Sequence, residues 1–168
     1  MSPPWSSPLE VDRLADGGAE ADFAIPLAEL SGLRPERPDV GGRVAGRVHF
    51  MRERGLALAE LTLHGHAQLV CQRCMQPLQL PLRAQVRVAL VHSPDEAARV
   101  PEDLEPVLAS GGRISIGELV TEELLLSLPL VPRHEVAAEC GITPAPPEEG
   151  ATETHRPFAQ LADLLKRK

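Results

Sequence analysis

Apolar and polar residues alternate along the middle of this chain with a period of two. Leu78, Leu80, Leu82, Ala84, Val86, Val88 and Leu90 share one face, and Gln79, Arg83, Gln85 and Arg87 share the other. That pattern predicts a half-buried antiparallel strand, with Pro77 and Pro81 placing its start at an edge or irregular position. Upstream, Val44, Gly46, Val48 and Phe50 alternate with Arg47 and His49, and the polar turn Arg52-Glu53-Arg54-Gly55 predicts a hairpin. Leu56 and Leu58 follow in phase, but Leu61, Leu63, Gly65, Ala67, Leu69 and Cys71 fall on the other parity, with Thr62, His64, His66 and Gln68 between them. A β-bulge near Ala59 would absorb that slip, because one extra residue reverses the facing of all that follow.

The flanks are less regular. A short strand over 22–26 and a helical turn over 27–32 are expected first, then a Pro/Gly linker over 34–42. After a loop over 93–105 comes a short strand near 106–109 and a turn at Gly111-Gly112. The clearest helix spans 115–128. Ser115 and Glu118 form a capping box, Leu119, Val120, Leu124, Leu125 and Leu128 make a broad apolar side, and Pro129 and Pro132 stop it. Residues 1–8, rich in Pro and Ser, are expected to be disordered, and 141–156, rich in Pro, Glu and Thr, to be a flexible linker. Pro157 then opens a C-terminal helix over 157–168 bearing Phe158, Leu161, Leu164 and Leu165, with Lys166-Arg167-Lys168 suited to the negative end of its dipole. The expected fold is α+β, with a single domain over 9–140. A twisted antiparallel β-sheet, free to curl toward a barrel, carries one packed helix on its apolar face, and the short C-terminal helix follows.

Charge sharpens this picture. The net charge of -7 conceals an asymmetry: between positions 43 and 92 seven arginines face only Glu53 and Glu60, and four of the six histidines fall in the same window. A basic working surface between acidic flanks follows. Its candidate members on the polar strand faces are Arg47, His49, His64, His66, Arg83 and Arg87, a set suited to phosphate contacts. Solvated arginines and histidines on an open sheet are the ordinary alternative. Only four residues are aromatic, so the base-stacking platform of a sequence-specific single-strand RNA binder is missing. No apolar run approaches the length of a membrane span and the start lacks a basic-then-apolar signal, which predicts a cytoplasmic protein with no membrane partner.

Cys71-Gln72-Arg73-Cys74 is the one motif with its own chemistry. A redox pair of the thioredoxin kind sits at a helix N-terminus, whereas Cys74 leads into another strand. Two readings stay open. The plainer is a pair of small thiols clasping a hairpin. The other is half of a zinc knuckle, which needs two further ligands, and His134 and Cys140 are the ones on offer. Phosphate-binding glycine loops, HExxH and GxSxG are missing, as is a carboxylate cluster for a two-metal nuclease, so a non-enzymatic protein is expected.

Three stretches together resemble the YceD family, named for large ribosomal RNA subunit accumulation. They are Cys71-Gln72-Arg73-Cys74-Met75-Gln76-Pro77, the helix segment from Glu118 to Pro129, and Arg156-Pro157-Phe158-Ala159 with Leu161 and the terminal Lys166-Arg167-Lys168. The resemblance runs from about Ala15 to the C-terminus, with Ile25-Pro26-Leu27 near its start. It implies a non-enzymatic cytoplasmic factor supporting accumulation or processing of large-subunit ribosomal RNA and biogenesis of the large subunit. Its partner would be that RNA or a pre-ribosomal particle. Many members of the family carry a second cysteine group downstream that would complete a zinc site, where this chain has only Cys140 with His134 nearby. The rival reading is an adaptor whose acidic stretches, over 102–105, 118–123 and 148–153, bind a basic ribosomal protein or assembly factor.

Overall fold

The computed structural model describes residues 4–33 and 40–141. The C-terminal helix expected over 157–168, the linker expected over 141–156 apart from Gly141, and most of the linker expected over 34–42 lie outside the described residues. Of the amino-terminal stretch expected to be disordered, Pro4–Ser6 form a 3-10 turn, and Trp5 is partly buried against the main core.

In chain order the elements are β1 (Leu9–Glu10), α1 (Val11–Gly17), β2 (Glu20–Pro26), β3 (Gly41–Glu53), β4 (Leu56–Val70), β5 (Pro77–Val91), α2 (Pro94–Ala97), β6 (Glu105–Leu108), β7 (Arg113–Ile114) and α3 (Ile116–Ser127). Five strands form one sheet in the order β2-β3-β4-β5-β6. The expected α+β architecture is present and the sheet is open, so it does not close into a barrel. It is also mixed: β6 runs parallel to β5, pairing Val88 with Glu105 and Val91 with Leu108. The earlier pairings are antiparallel, because hairpin turns join β3 to β4 and β4 to β5. A parallel neighbour needs a crossover, and the segment carrying α2 supplies it.

The expected bulge near Ala59 is absent. The β3–β4 register runs without interruption from Gly41↔Gln68 to Glu53↔Leu56, and β4–β5 from Ala57↔Leu90 to Val70↔Pro77. The parity of the apolar residues slips for another reason. Ala57, Leu58 and Ala59 are consecutively buried, so this end of β4 is covered on both faces. Leu58, Ala89 and Val91 lie opposite the main core and are still shielded, at the end of the sheet where the crossover leaves β5.

The main core lies on the other face. Val44, Val48, Phe50, Leu61, Leu63 and Leu82 meet Leu119, Val120, Leu124 and Leu128 of the α3 segment there. The capping box forms as the sequence predicts: Ser115 Oγ accepts from the Glu118 backbone N–H at 3.1 Å, and the Glu118 carboxylate accepts from the Ser115 N–H at 2.7 Å. Helix α1 has no side-chain cap at Glu10 and buries only Val11 and Ala15, so its signal in the sequence is weak. It is held by tertiary contacts. Arg52, at the hairpin end of β3, pairs with Asp12 at 2.7 Å and with Asp16. β1 and β7 pair through Leu9↔Ile114 and lead directly into α1 and toward α3, which sets the two helices against the same face.

Two glycines let β3 and β4 approach on the core side. A Cβ at Gly65 would stand 2.2 Å from the Arg43 carbonyl oxygen, and one at Gly46 would stand 2.0 Å from that of Thr62. Both obstacles are backbone, which cannot swing aside. Gly65→Ala is expected to cost about 1–3 kcal/mol. Urea unfolding checks this, and an unchanged midpoint and slope would contradict the close approach.

Candidate functional site

β4 ends at Val70 and β5 begins at Pro77, so the connection carries the Cys-x-x-Cys sequence as a tight knuckle. Met75 adopts a left-handed backbone with φ 60, and two bonds close the turn: Met75 N–H donates to the Cys71 carbonyl at 2.8 Å, and Cys71 N–H to the Gln76 carbonyl at 2.9 Å. Downstream of α3 the chain returns to this tip. Gln72 N–H donates to the Pro132 carbonyl at 2.8 Å, which brings His134 alongside, and a 3-10 turn over Ala137–Cys140 brings in the third thiol. Gly141, with φ 65, ends that turn.

All four predicted ligands therefore meet. The donor atoms of Cys71, Cys74, His134 and Cys140 lie within 4.8 Å of one another, the one such convergence of His, Cys, Asp or Glu among the described residues. Cys71 Sγ is 3.9 Å from Cys140 Sγ, and His134 Nδ1 is 3.5 Å from both Cys74 Sγ and Cys140 Sγ. A tetrahedral zinc ion with bonds of about 2.3 Å to sulfur and about 2.0 Å to nitrogen has edges of about 3.8 Å between sulfurs and about 3.5 Å from sulfur to nitrogen. The donor set fits one such ion. All three cysteines are free thiols, so no disulfide competes.

The surroundings shift two of the thiols in opposite directions. Burial opposes ionisation of Cys71, but the backbone N–H groups of His134, Arg73 and Cys74 bond to its sulfur and hold its pKa down to about 5. Cys140 is pushed up to about 11 by burial and by its hydrogen bonds and charge repulsion with the other two thiols. A cation among the sulfurs would relieve the repulsion that holds the Cys140 thiol protonated. The His134 ring is also fixed in orientation. Its Nε2 lies 3.2 Å from the Pro77 carbonyl, which can only accept, so the proton sits on Nε2 and the Nδ1 lone pair faces the sulfurs. With four protein donors there is no position left for a water, and a metal held this way would be structural.

The second candidate surface is the polar face of the sheet. In strand register, successive rows across β3, β4 and β5 are Gly41-Gln68-Gln79, Arg43-His66-Pro81, Ala45-His64-Arg83, Arg47-Thr62-Gln85 and His49-Glu60-Arg87. The six predicted members do share this face, but they divide into two halves. Arg47 is bound by Asp22 of β2 at 2.7 Å and 3.2 Å and lies 3.8 Å from Glu20. That guanidinium holds the Asp22 carboxyl below the usual carboxylate range. Arg87 pairs with Glu53, and His49 is half-buried in a row with Glu60. Positive charge in this half is neutralised.

Among the described residues the half toward the knuckle carries no carboxylate. Here Arg43, His64 and Arg83 are exposed and His66 is half-buried. Among the described residues neither Arg43 nor Arg83 has an acidic partner. Arg73 and Arg133, both exposed, adjoin Cys74 and His134 of the converging group in the chain. Arg43, Arg73 and Arg133 were missed as site candidates. Arg43 alternates in phase with Arg47, which is the available signal, but it lies one residue before the strand pattern that starts at Val44.

A family model described as large ribosomal RNA subunit accumulation protein YceD matches residues 59–165, which take in most of β4, all of β5 and α3, and the four converging residues. The chain belongs to the YceD family. A curated relative from Haemophilus influenzae (strain ATCC 51907 / DSM 11121 / KW20 / Rd), named large ribosomal RNA subunit accumulation protein YceD, is 37% identical over 105 residues. That alignment covers 59% of this chain and 60% of the relative, so the match spans less than two thirds of the relative's length. No solved structure matches the chain. None of the helices among the described residues is long and apolar enough to cross a membrane.

Cobalt(II) added to the reduced, metal-free chain is expected to give the intense visible bands of a tetrahedral thiolate site, saturating at one equivalent. Cys140→Ala should weaken both the bands and the affinity. A pale octahedral spectrum would reject the four-ligand arrangement.

Proposed function

We propose that this YceD-family chain supports accumulation of large-subunit ribosomal RNA by non-catalytic binding. It contacts the phosphate backbone of that RNA, free or within a pre-ribosomal particle, with the knuckle end of its open sheet face. The observation that carries this reading is the division of that face. Among the described residues Arg43, His64, His66 and Arg83 form a carboxylate-free cluster, while Arg47 and Arg87 are held by acidic neighbours. Unpaired guanidinium groups are available to phosphate oxygens, which they bind bidentately. Paired ones would first have to give up a carboxylate.

The chemistry on offer suits backbone contact better than base readout. No aromatic residue lies on the polar face of β3, β4 or β5, so splayed bases find no ring to stack on. Recognition then rests on shape and charge, as with structured RNA.

Zinc is the metal that best suits a Cys3His donor set. In this reading Cys71, Cys74, His134 and Cys140 hold it, and its contribution is structural. It secures the segment after α3 to the tip of the β4–β5 hairpin. The side chains of Leu130 and Val136 in that segment add little apolar burial, being 90% and 54% exposed. Ordering the knuckle fixes Arg73 and Arg133 beside the basic end of the sheet.

Two outcomes test this. The double charge reversal Arg43→Glu with Arg83→Glu is expected to weaken binding to large-subunit RNA by at least tenfold at moderate salt. It should also flatten the salt dependence by about one log unit per lost phosphate contact. The same change at Arg47 and Arg87 should have the smaller effect, and equal losses at both pairs would reject the division of the face. Separately, chelation of the metal is expected to open residues 130–141 to limited proteolysis while the sheet stays intact. Uniform resistance with and without chelator would reject the pinning role.

A further inference from the structure

A second surface lies on the other side of the sheet, unrelated to the basic face. Between α3 and the β5–β6 edge runs a cleft of about 270 Å³. Val86, Val88 and Val107 form its floor, and Glu105, Glu122 and Glu123 stand along its rim. The cleft exists because β6 pairs only with the last residues of β5, from Val88 onward, and α3 does not cover what precedes them. Val86 and Val107 stay half-buried on a face that is otherwise core. Leu126, on the α3 wall, is 68% exposed. An apolar trough with an acidic rim calls for an occupant that is apolar on one side and basic at one end.

We propose that residues 157–168 of this same chain occupy the cleft as a short amphipathic helix. Phe158, Leu161 and Leu165 recur at the i, i+3, i+7 spacing of one helix face, with Leu164 beside them. The segment ends on Lys166-Arg167-Lys168, the complement of Glu105, Glu122 and Glu123. A helix this short is marginal alone in water and needs a surface to bury its stripe. The reach is sufficient. Residues 142–156 can extend about 50 Å at roughly 3.3 Å per residue. From the knuckle end of β5 at Pro77 to Val86 the strand covers about 30 Å. The other stretches outside the described residues do not fit: 1–3 are too few, and 34–39 read Arg-Pro-Glu-Arg-Pro-Asp, without an apolar stripe.

The test uses the full-length chain with the photo-crosslinking residue p-benzoylphenylalanine in place of Gln160, mixed as light and 15N-labelled copies, without RNA. Crosslinks are expected within single copies, to residues 105–108 and 119–126. The double change Glu122→Lys with Glu123→Lys should lower their yield severalfold. Adding Lys166→Glu and Lys168→Glu to that background should restore it, with circular dichroism confirming that each variant is folded. Crosslinks to the open sheet face, crosslinks scattered without preference, or crosslinks only between differently labelled copies would overturn the assignment. Because RNA is left out, failure here would leave the reading of the basic face standing.

Discussion

Strand β4 is the constraint on which the rest of the molecule depends. It is paired over almost its whole length on both sides, to β3 and to β5, in one uninterrupted register. That pairing locks its alternation. Leu61, Leu63, Ala67 and Leu69 are fixed toward the core, and Thr62, His64 and Gln68 are fixed toward solvent. A slip of one residue would exchange the two sets, so register here is enforced by the free energy of burying the apolar row. The same lock delivers Cys71, buried, at the point where the strand ends and the knuckle begins. Both candidate surfaces on this side of the molecule, the thiol cluster and the basic half-face, are consequences of where β4 stops and how it faces.

How much of this was legible in the sequence differs from element to element. The alternation of β5 and the capping box of α3 are local patterns, and local patterns survive folding when the core accepts them. The two Cys-x-x-Cys thiols were legible for the same reason, and His134 and Cys140 because little else downstream could ligate. The bulge near Ala59 was a misreading of a real signal. A strand end covered on both faces carries apolar residues at both parities, and a period-two pattern cannot distinguish that from a shifted register. Helix α1 escaped because its stability comes from Arg52, 40 residues away from Asp12, and from packing, with no cap of its own. The parallel placement of β6 escaped because a short strand carries no mark of its direction. On the open face, residue type alone could not reveal that Asp22 would lie opposite Arg47. That fact belongs to the β2–β3 register, and it moves the available positive charge toward the knuckle.

The converging thiols and imidazole and the basic half-face lie at one end of the sheet for a physical reason. A hairpin tip is the least restrained part of a β-meander, and in this chain it is also where the segment after α3 returns. Backbone N–H groups, a buried thiol and an oriented imidazole converge there, and a bound cation would relieve the mutual repulsion of the sulfurs. Rigid arginines lose less entropy on meeting phosphate than mobile ones do, so a firm knuckle would suit the proposed contacts beside it. The acidic cleft on the core side belongs to a separate region, and its chemistry is opposite in sign.

Crosslinking the protein to RNA in living cells, with sequencing of the attached RNA and mass spectrometry of the attached peptides, tests the central claim most directly. The account predicts strong enrichment of large-subunit ribosomal RNA or its precursor. The crosslinked peptides should fall on β3 near Arg43, on β4 around His64 and His66, and on β5 at Arg83. No enrichment of large-subunit RNA over total RNA, or crosslinks confined to the α3 side of the molecule, would contradict it.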